Sequence, residues 1–154
     1  GIIGLLILIP VWLSLSILIS LDHGKLLIAG VILIVALSDI GAYFVGIRFG
    51  KHKLSKNVSP NKTWEGFIGG LLCSLIFSFI SFNYIQEVYP FWKTIFLGLF
   101  VPIFGLFGDI YQSKFKRKAG VKDSGVILPG HGGIFDRLDS AMGVSYIAMI
   151  ITLI

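Results

Sequence analysis

The residues between Ser113 and Ser140 combine side chains that suit the binding of phosphate groups and of a metal ion. Within this stretch lie five closely spaced basic residues, Lys114, Lys116, Arg117, Lys118 and Lys122, and a Pro-Gly-His-Gly-Gly turn at 129–133. Cationic side chains pair with phosphate oxygens, and a glycine-rich turn lets backbone N–H groups approach them. Asp136 and Asp139 follow the turn, and carboxylate oxygens are the ligands that hard cations prefer. The stretch therefore predicts a site for phosphate groups and a divalent metal ion.

The elements that position this stretch are membrane helices. The 154 residues are 55% hydrophobic and only 14% charged, with a mean hydropathy of +0.90, which is too apolar for a soluble domain. The sequence predicts an all-α, polytopic transmembrane helix bundle, with 1–154 forming a single membrane domain that is a piece of a longer chain. Spans are predicted near 1–21, 26–49, 66–85, 94–112 and 140–154. The single cysteine, Cys73, lies in an apolar run and is expected to be a small buried hydrophobic residue.

The basic residues predict the orientation of the bundle. Eleven of the thirteen lysines and arginines lie in two polar segments, 48–62 and 113–139, while Lys25 and Lys93 lie in the other connections. The positive-inside rule places both basic loops in the cytoplasm. The protein is thus expected to be an integral membrane protein with its site on the cytoplasmic side, at the inner membrane if the source is bacterial. No nucleic-acid partner is expected.

Two further carboxylates, Asp39 and Asp109, lie inside predicted spans. A carboxylate there costs about 3 kcal/mol on insertion scales, so Asp39 is expected to face the bundle interior or a wet cavity. Tyr43 shares its helix face, and Gly46 and Gly50 continue that face toward the cytoplasm. The face could be a helix-packing seam or the wall of a lipid headgroup pocket, and both interpretations stand.

Asp109 lies one turn inside the fourth span, with Ser113 one turn further on. If the chain is helical from about 134, Asp136, Asp139 and Ser140 share one helix face at the cytoplasmic end. Carboxylates that converge from separate helices repel one another unless a cation lies among them. Oxygen ligands indicate a hard metal, and magnesium is favoured when substrate phosphates complete the shell.

Other residues of the two basic segments have competing interpretations. Lys114 to Lys118 could simply bind anionic lipid headgroups. Lys122-Asp123 and His131-Gly132-Gly133 favour a specific phosphate-binding site. His131 can donate a hydrogen bond to a phosphate or help to position it, next to the glycine N–H groups. In the other segment, Thr63 or Asn61 is predicted to cap the third helix, and Gly66, Gly69 and Gly70 predict close packing of another helix.

Two blocks of the chain resemble the phosphatidate cytidylyltransferases, also called CDP-diacylglycerol synthases. The first block is Ser113-x-Phe115-Lys116-Arg117, four residues, Lys122-Asp123-x-Gly125, and Leu128-Pro129-Gly130-His131-Gly132-Gly133-Ile134-x-Asp136-Arg137-Leu138-Asp139. The second is Ser38-Asp39-x-x-Ala42-Tyr43-x-x-Gly46 with Ser59-Pro60-Asn61-Lys62-Thr63-Trp64-Glu65-Gly66. Together the blocks cover roughly 38–140, and family members carry further membrane helices ahead of the point where this chain begins.

The resemblance implies a magnesium-dependent nucleotidyltransferase that converts CTP and phosphatidate to CDP-diacylglycerol and pyrophosphate at the cytoplasmic membrane surface. It assigns Asp109, Asp136 and Asp139 to the metal and to catalysis. Lys122, His131, Gly132 and Gly133 are assigned to the CTP phosphates. Either substrate would be neutralised by Lys62, Lys116 and Arg117, with Ser113 and Arg137 also in contact with substrate. Asp39 and Asp123 would support the pocket, and the lipid headgroup would enter along the face of Tyr43.

Some alternatives stay open at this point. A related CTP-dependent membrane enzyme that acts on a polyprenol or an ether lipid would share the basic loop and the carboxylates. A non-catalytic protein that binds anionic lipids, or part of a transporter, would need the basic clusters but not the carboxylates. The glycine-rich helices permit a homodimer, and a monovalent cation could accompany magnesium.

Overall fold

The chain folds as a bundle of helices with one small hairpin at one end. The computed structural model describes residues 2–55, 59–118 and 135–154, with side chains described over 9–55, 59, 61–114, 117 and 144–154. In chain order its elements are α1 (Ile2–Ser20), α2 (Gly24–Phe49), β1 (Lys53–Ser55), β2 (Ser59–Thr63), α3 (Trp64–Ile85), α4 (Phe91–Lys118) and α5 (Phe135–Leu153). The predicted all-α membrane bundle is confirmed.

Small residues bring α2 and α3 into close contact. A Cβ added at Gly66 would lie 2.8 Å from the Ala42 carbonyl oxygen, and one at Gly70 would lie 2.6 Å from that of Ser38. In membranes such close backbone approach replaces the hydrophobic effect as the source of helix association. The glycines of α3 therefore form the predicted packing seam, and they fix α2 beside α3 at the end where the hairpin joins them.

Two hydrogen bonds fix the direction and neighbours of α4. The Ser74 hydroxyl of α3 donates to the Gly98 carbonyl of α4 over 2.8 Å. The Lys93 ammonium at the start of α4 donates to the Thr152 carbonyl at the end of α5, also over 2.8 Å. Lysine at a helix C-terminus satisfies free carbonyls and complements the helix dipole. Helices α4 and α5 therefore run antiparallel, so the end of α4 and the start of α5 lie at the same end of the bundle.

Within the part of the chain that the structure describes, three helices are long and apolar enough to cross a membrane: Gly24–Phe49, Trp64–Ile85 and the Phe91–Lys114 part of α4. The described apolar parts of the terminal helices are shorter, Ile9–Ser20 and Val144–Leu153. Spanning by α1 and α5 therefore stays a prediction. Exposed leucine, isoleucine and phenylalanine side chains cover the outside of these helices, which is the surface expected of a protein that faces lipid.

Helices α4 and α5 extend beyond the predicted membrane spans. Helix α4 continues six residues past the predicted span end at 112, so Ser113, Lys114 and Arg117 lie on a helix rather than in a loop. Helix α5 begins at Phe135, before the predicted span start at 140 and in agreement with a helix from about 134. Hydropathy falls at a membrane surface, but lysine and arginine are good helix formers, and the helix therefore outlasts the apolar run.

The segment predicted as the first basic loop contains an antiparallel hairpin. Lys53 pairs with Thr63 and Ser55 with Ser59, with an irregular register between the two pairs. Strands of three and five residues offer too little alternation for the pattern to be visible in the sequence. Ser59 lies in extended backbone as the following proline predicts, and Thr63 caps α3 by accepting a hydrogen bond from the Gly66 N–H.

Replacing Gly69 by alanine is expected to lower the free energy of unfolding by about 1–3 kcal/mol. The added Cβ would lie 2.5 Å from Val45 Cγ2, and a β-branched valine has little freedom to move aside. The thermal unfolding midpoint in detergent micelles measures the effect. Gly30→Ala is the matched control, because a Cβ at Gly30 meets nothing within 4 Å. Equal midpoints for the two variants would contradict the close packing.

Candidate functional site

A cavity of about 720 Å³ opens at the hairpin end of the bundle. Its walls come from the second half of α2, from the hairpin, from the first turn of α3 and from the second half of α4. The polar and charged side chains that line it are Ser38, Asp39, Tyr43, Lys53, Asn61, Lys62, Thr63 and Asp109. Three transmembrane helices thus supply an apolar frame, and the polar lining is concentrated where the membrane surface is expected.

Lys62 and Asp109 form an ion pair inside this cavity. The lysine lies on β2 and the aspartate on α4, so the pair joins the hairpin to a helix that is distant in sequence. Both side chains are about one-third exposed, at 35% and 27%. The pair is therefore partly desolvated and worth more than an exposed surface pair.

Asp39 of α2 faces the same cavity, within electrostatic range of both Lys62 and Asp109. The sequence placed this carboxylate either in the bundle interior or in a wet cavity, and the structure places it in the lining of a cavity. The cavity thus holds two carboxylates, and the Lys62 ammonium pairs with one of them and lies within electrostatic range of the other.

Local sequence explains why Lys62 reaches the cavity. Thr63 follows it directly and is held by its capping bond to the Gly66 N–H, at 3.2 Å. The Trp64 N–H donates to the His52 carbonyl over 3.0 Å and ties the start of α3 to the end of α2. Lys62 is therefore the penultimate residue of β2, directly before the threonine that caps α3.

The face of α2 that carries Tyr43 serves both functions left open by the sequence. Gly46 and Gly50 line the cavity, and they also pack against Thr63 and Gly66. Tyr43 lines the cavity as well and is 64% exposed. The glycines thus form a seam with the start of α3, and the side of the same face beyond the seam is a cavity wall.

The register of α4 and α5 brings the other predicted carboxylates toward this end. A Cβ at Gly105 of α4 would lie 3.4 Å from Val144 Cγ2 of α5. Because the two helices are antiparallel, a residue one turn after Gly105 on α4 lies at the same height in the bundle as a residue one turn before Val144 on α5. Asp109 lies one turn after Gly105, and Asp139 and Ser140 lie about one turn before Val144. The backbone positions of Asp109 and Asp139 are therefore at a similar height in the bundle.

The remaining predicted site residues fall into two groups. Half-buried Ser113 and exposed Arg117 lie on α4 beyond Asp109. In the second group, five residues lie outside the described part of the chain: Lys122, Asp123, His131, Gly132 and Gly133. The other four, Lys116, Asp136, Arg137 and Asp139, have only their helical backbone described. For all nine, the predicted contacts with phosphate or metal stay predictions.

Four polar cavity residues were not predicted as site residues. Ser38 belongs to the sequence block around Asp39 but was given no role. Asn61 and Thr63 belong to the motif around Lys62, but they were interpreted only as candidate helix caps. Lys53 lines the cavity from β1, and the sequence offered no signal that would separate it from other basic residues of the segment. Its assignment depends on the hairpin, which pairs Lys53 with Thr63.

Among the residues that the structure describes, no group of three or more His, Cys, Asp and Glu side chains is arranged to hold a metal. The two carboxylates of the cavity, Asp39 and Asp109, provide only oxygen donors. This donor chemistry fits a hard cation such as magnesium, which commonly uses one or two protein carboxylates and completes its shell with phosphates and water.

Comparison with known proteins agrees with this architecture. The model of the cytidylyltransferase family matches residues 1–154. A protein of Staphylococcus haemolyticus named phosphatidate cytidylyltransferase is 53% identical over 112 residues, which are 73% of this chain and 43% of the relative. Proteins of the same name from Staphylococcus saprophyticus and Staphylococcus aureus are 51% and 54% identical over the same shares.

The chain spans less than half the length of these curated relatives. The family match nevertheless extends over its whole length. The resemblance predicted from the two blocks is thereby confirmed, and this chain belongs to the cytidylyltransferase family.

Proposed function

We propose that the protein transfers the cytidylyl group of CTP to phosphatidate, releasing pyrophosphate and forming CDP-diacylglycerol at the cytoplasmic surface of the membrane. A phosphate oxygen of phosphatidate forms a bond to the α-phosphorus of CTP. The bond from that phosphorus to the bridging oxygen of the β-phosphate breaks, and pyrophosphate leaves. The names of the staphylococcal relatives support this substrate pair.

The observation that carries the proposal is the charged cavity at the end of the transmembrane helices. Lys62, Asp109 and Asp39 meet there although they come from three different elements. An enzyme that joins a water-soluble nucleotide to a lipid needs a polar site that the lipid headgroup can enter while its acyl chains stay in the bilayer. Tyr43, which lines the cavity and is exposed on α2, is the proposed entry point for that headgroup.

Charge balance indicates that the cavity needs additional cations for such substrates. Its described lining holds two lysines, Lys53 and Lys62, and two carboxylates, Asp39 and Asp109. These charges cancel, whereas both substrates carry phosphates. The basic residues at 114–122 and a divalent cation held by the carboxylates would supply positive charge for these phosphates.

Asp109, with Asp136 and Asp139 from the start of α5, is the proposed ligand set for magnesium. When bound, a divalent metal ion neutralises the charge that develops on the phosphate oxygens. Lys62 then has two successive partners: Asp109 before substrate binds, and a phosphate oxygen afterwards. Asp39 keeps the ammonium of Lys62 in the cavity during this exchange. Lys122, His131 and the N–H groups of Gly132 and Gly133 are proposed to bind the CTP phosphates.

The experiment that tests this proposal is pyrophosphate release by the longest polypeptide that contains this sequence, in mixed micelles with CTP, phosphatidate and magnesium. Asp136→Asn and Asp139→Asn are each expected to lower the rate about 100-fold or more, because each removes a charged ligand of the metal. Asp22→Asn is the matched control, since Asp22 lies exposed in the turn at the opposite end of the bundle.

Each outcome of this experiment is informative. Release that requires phosphatidate and magnesium, and that both substitutions remove, supports the reaction and the metal ligands together. Release with a polyprenol or ether lipid but not with phosphatidate would retain the nucleotidyl transfer and overturn the lipid substrate. Full activity of both variants would overturn the proposed ligand set. Binding of anionic lipid without any turnover of CTP would favour the non-catalytic alternative.

A further inference from the structure

The carboxylate of Glu65, in the first turn of α3, binds the segment that leaves α2. It accepts hydrogen bonds from the backbone N–H of Lys51 at 3.1 Å and from that of His52 at 3.2 Å. The His52 ring nitrogen Nδ1 lies 2.6 Å from Glu65 Oε1. One side chain thus gathers three polar groups from two consecutive residues of the connection between α2 and β1.

These partners distinguish Glu65 from an ordinary acidic residue at a helix start. An acidic side chain in the first turn usually stabilises its own helix through the dipole. The groups at Lys51 and His52 lie on the opposite side of the hairpin. The bond from the Trp64 N–H to the His52 carbonyl connects the same two segments, so Glu65 closes the base of the hairpin.

The base of the hairpin sets where Lys62 points. Lys62 is three residues before Glu65 and one residue before the capping Thr63. Its ammonium must reach Asp109 on α4, across the cavity. Glu65 itself does not line that cavity. A loss of the Glu65 contacts would therefore leave the cavity walls formed by α2 and α4 in place but free the strand that carries the lysine.

We propose that Glu65 is a positioning residue, which anchors the hairpin so that Lys62 is held in the cavity opposite Asp109. Its importance for turnover rests on the proposed function, because Lys62 matters for catalysis only if the cavity binds substrate phosphates. Its effect on the position of Lys62 does not depend on the reaction. The two consequences are tested separately.

The first test measures the rate at which an amine-reactive acylating reagent modifies Lys62, followed by mass spectrometry of the same polypeptide in micelles. Exposed Lys25, at the opposite end of the bundle, is the internal reference. Glu65→Ala is expected to raise the rate at Lys62 relative to Lys25 about fivefold, because the strand that carries Lys62 loses its anchor. Glu65→Gln, which keeps one oxygen acceptor, is expected to give a smaller increase.

The matched control is Glu87→Ala, because Glu87 is exposed in the connection between α3 and α4. It should leave the ratio of Lys62 to Lys25 modification unchanged. If Glu65→Ala and Glu65→Gln also leave that ratio unchanged, the positioning proposal is overturned, whether or not the protein turns over CTP.

The second test is a double-mutant cycle on pyrophosphate release. Glu65→Ala alone is expected to lower kcat/KM about tenfold, with partial rescue in Glu65→Gln. In the background of Lys62→Met it should lower kcat/KM no further, since residues that act through one another are not additive. A full tenfold loss in that background would show that Glu65 acts independently of Lys62 and would overturn the proposal. Absence of turnover in the parent would count against the proposed function, and the modification ratio would still decide the role of Glu65.

Discussion

Replacing Asp109 by asparagine is expected to lower pyrophosphate release about 100- to 1000-fold, the range found when one preorganised electrostatic group is removed from an active site. The substitution keeps the shape of the side chain and removes its charge. Both proposed partners are affected, because the metal loses a ligand and Lys62 loses its carboxylate in a partly desolvated cavity. Initial rates at saturating CTP and phosphatidate, over a range of magnesium concentrations, measure the effect.

The matched comparison for Asp109→Asn is again Asp22→Asn, at the other end of the bundle, which should stay within about twofold of the parent, as surface substitutions away from the site do. If the loss reflects metal binding, raising magnesium should recover part of the rate. A rate for Asp109→Asn that stays within about threefold of the parent at every magnesium concentration would remove Asp109 from the proposed site.

Replacing Lys62 by methionine is expected to affect both stability and activity. Methionine keeps the length of the side chain but removes the ammonium that pairs with Asp109, while Asp39 remains in the same cavity. The free energy of unfolding should fall by about 1–2 kcal/mol, between the values for exposed and for buried ion pairs. Turnover of CTP should fall about 100-fold, because a positive charge on the substrate phosphates is lost. Lys25→Met is the matched control for both measurements.

A charge reversal separates the two effects of Lys62. The double variant Lys62→Asp with Asp109→Lys restores an ion pair between β2 and α4, so most of the lost stability should return. Activity should not return, because the carboxylate and the ammonium would each be in the wrong place for metal and phosphate. Recovery of turnover in the double variant would mean that the pair serves only to hold the hairpin against α4.

Much of the fold and part of the site could be predicted from single residues and their spacing. Long apolar runs predict helices because an uncharged helix is the stable form of a chain in lipid. Asp39 could be predicted to face a polar cavity, because a carboxylate has no favourable place on the lipid side. The glycines of α3 predicted a close contact, since a residue without a Cβ lets two backbones approach.

The sequence did not reveal how these pieces are combined. The hairpin of β1 and β2 arises from pairing between two short polar strands, and neither strand has a pattern of its own. The ends of α4 and α5 differed from the limits of the apolar runs, because helix propensity and hydropathy are separate properties. Lys53 and Glu65 acquired their roles only through the neighbours that the hairpin gives them.

The sequence by itself determined that this chain is a helical membrane protein of the cytidylyltransferase family, with carboxylates and basic residues for phosphate chemistry. Composition, periodicity and motif residues are local properties, and they can be identified without knowing which residues are close together in the folded protein. Only the tertiary structure decided that Lys62 pairs with Asp109 across 47 positions of sequence, that Asp39 faces the same cavity, and that Glu65 closes the hairpin beside it. Contacts between residues distant in sequence depend on how helices pack, and packing follows from the shapes and charges of all the surfaces together.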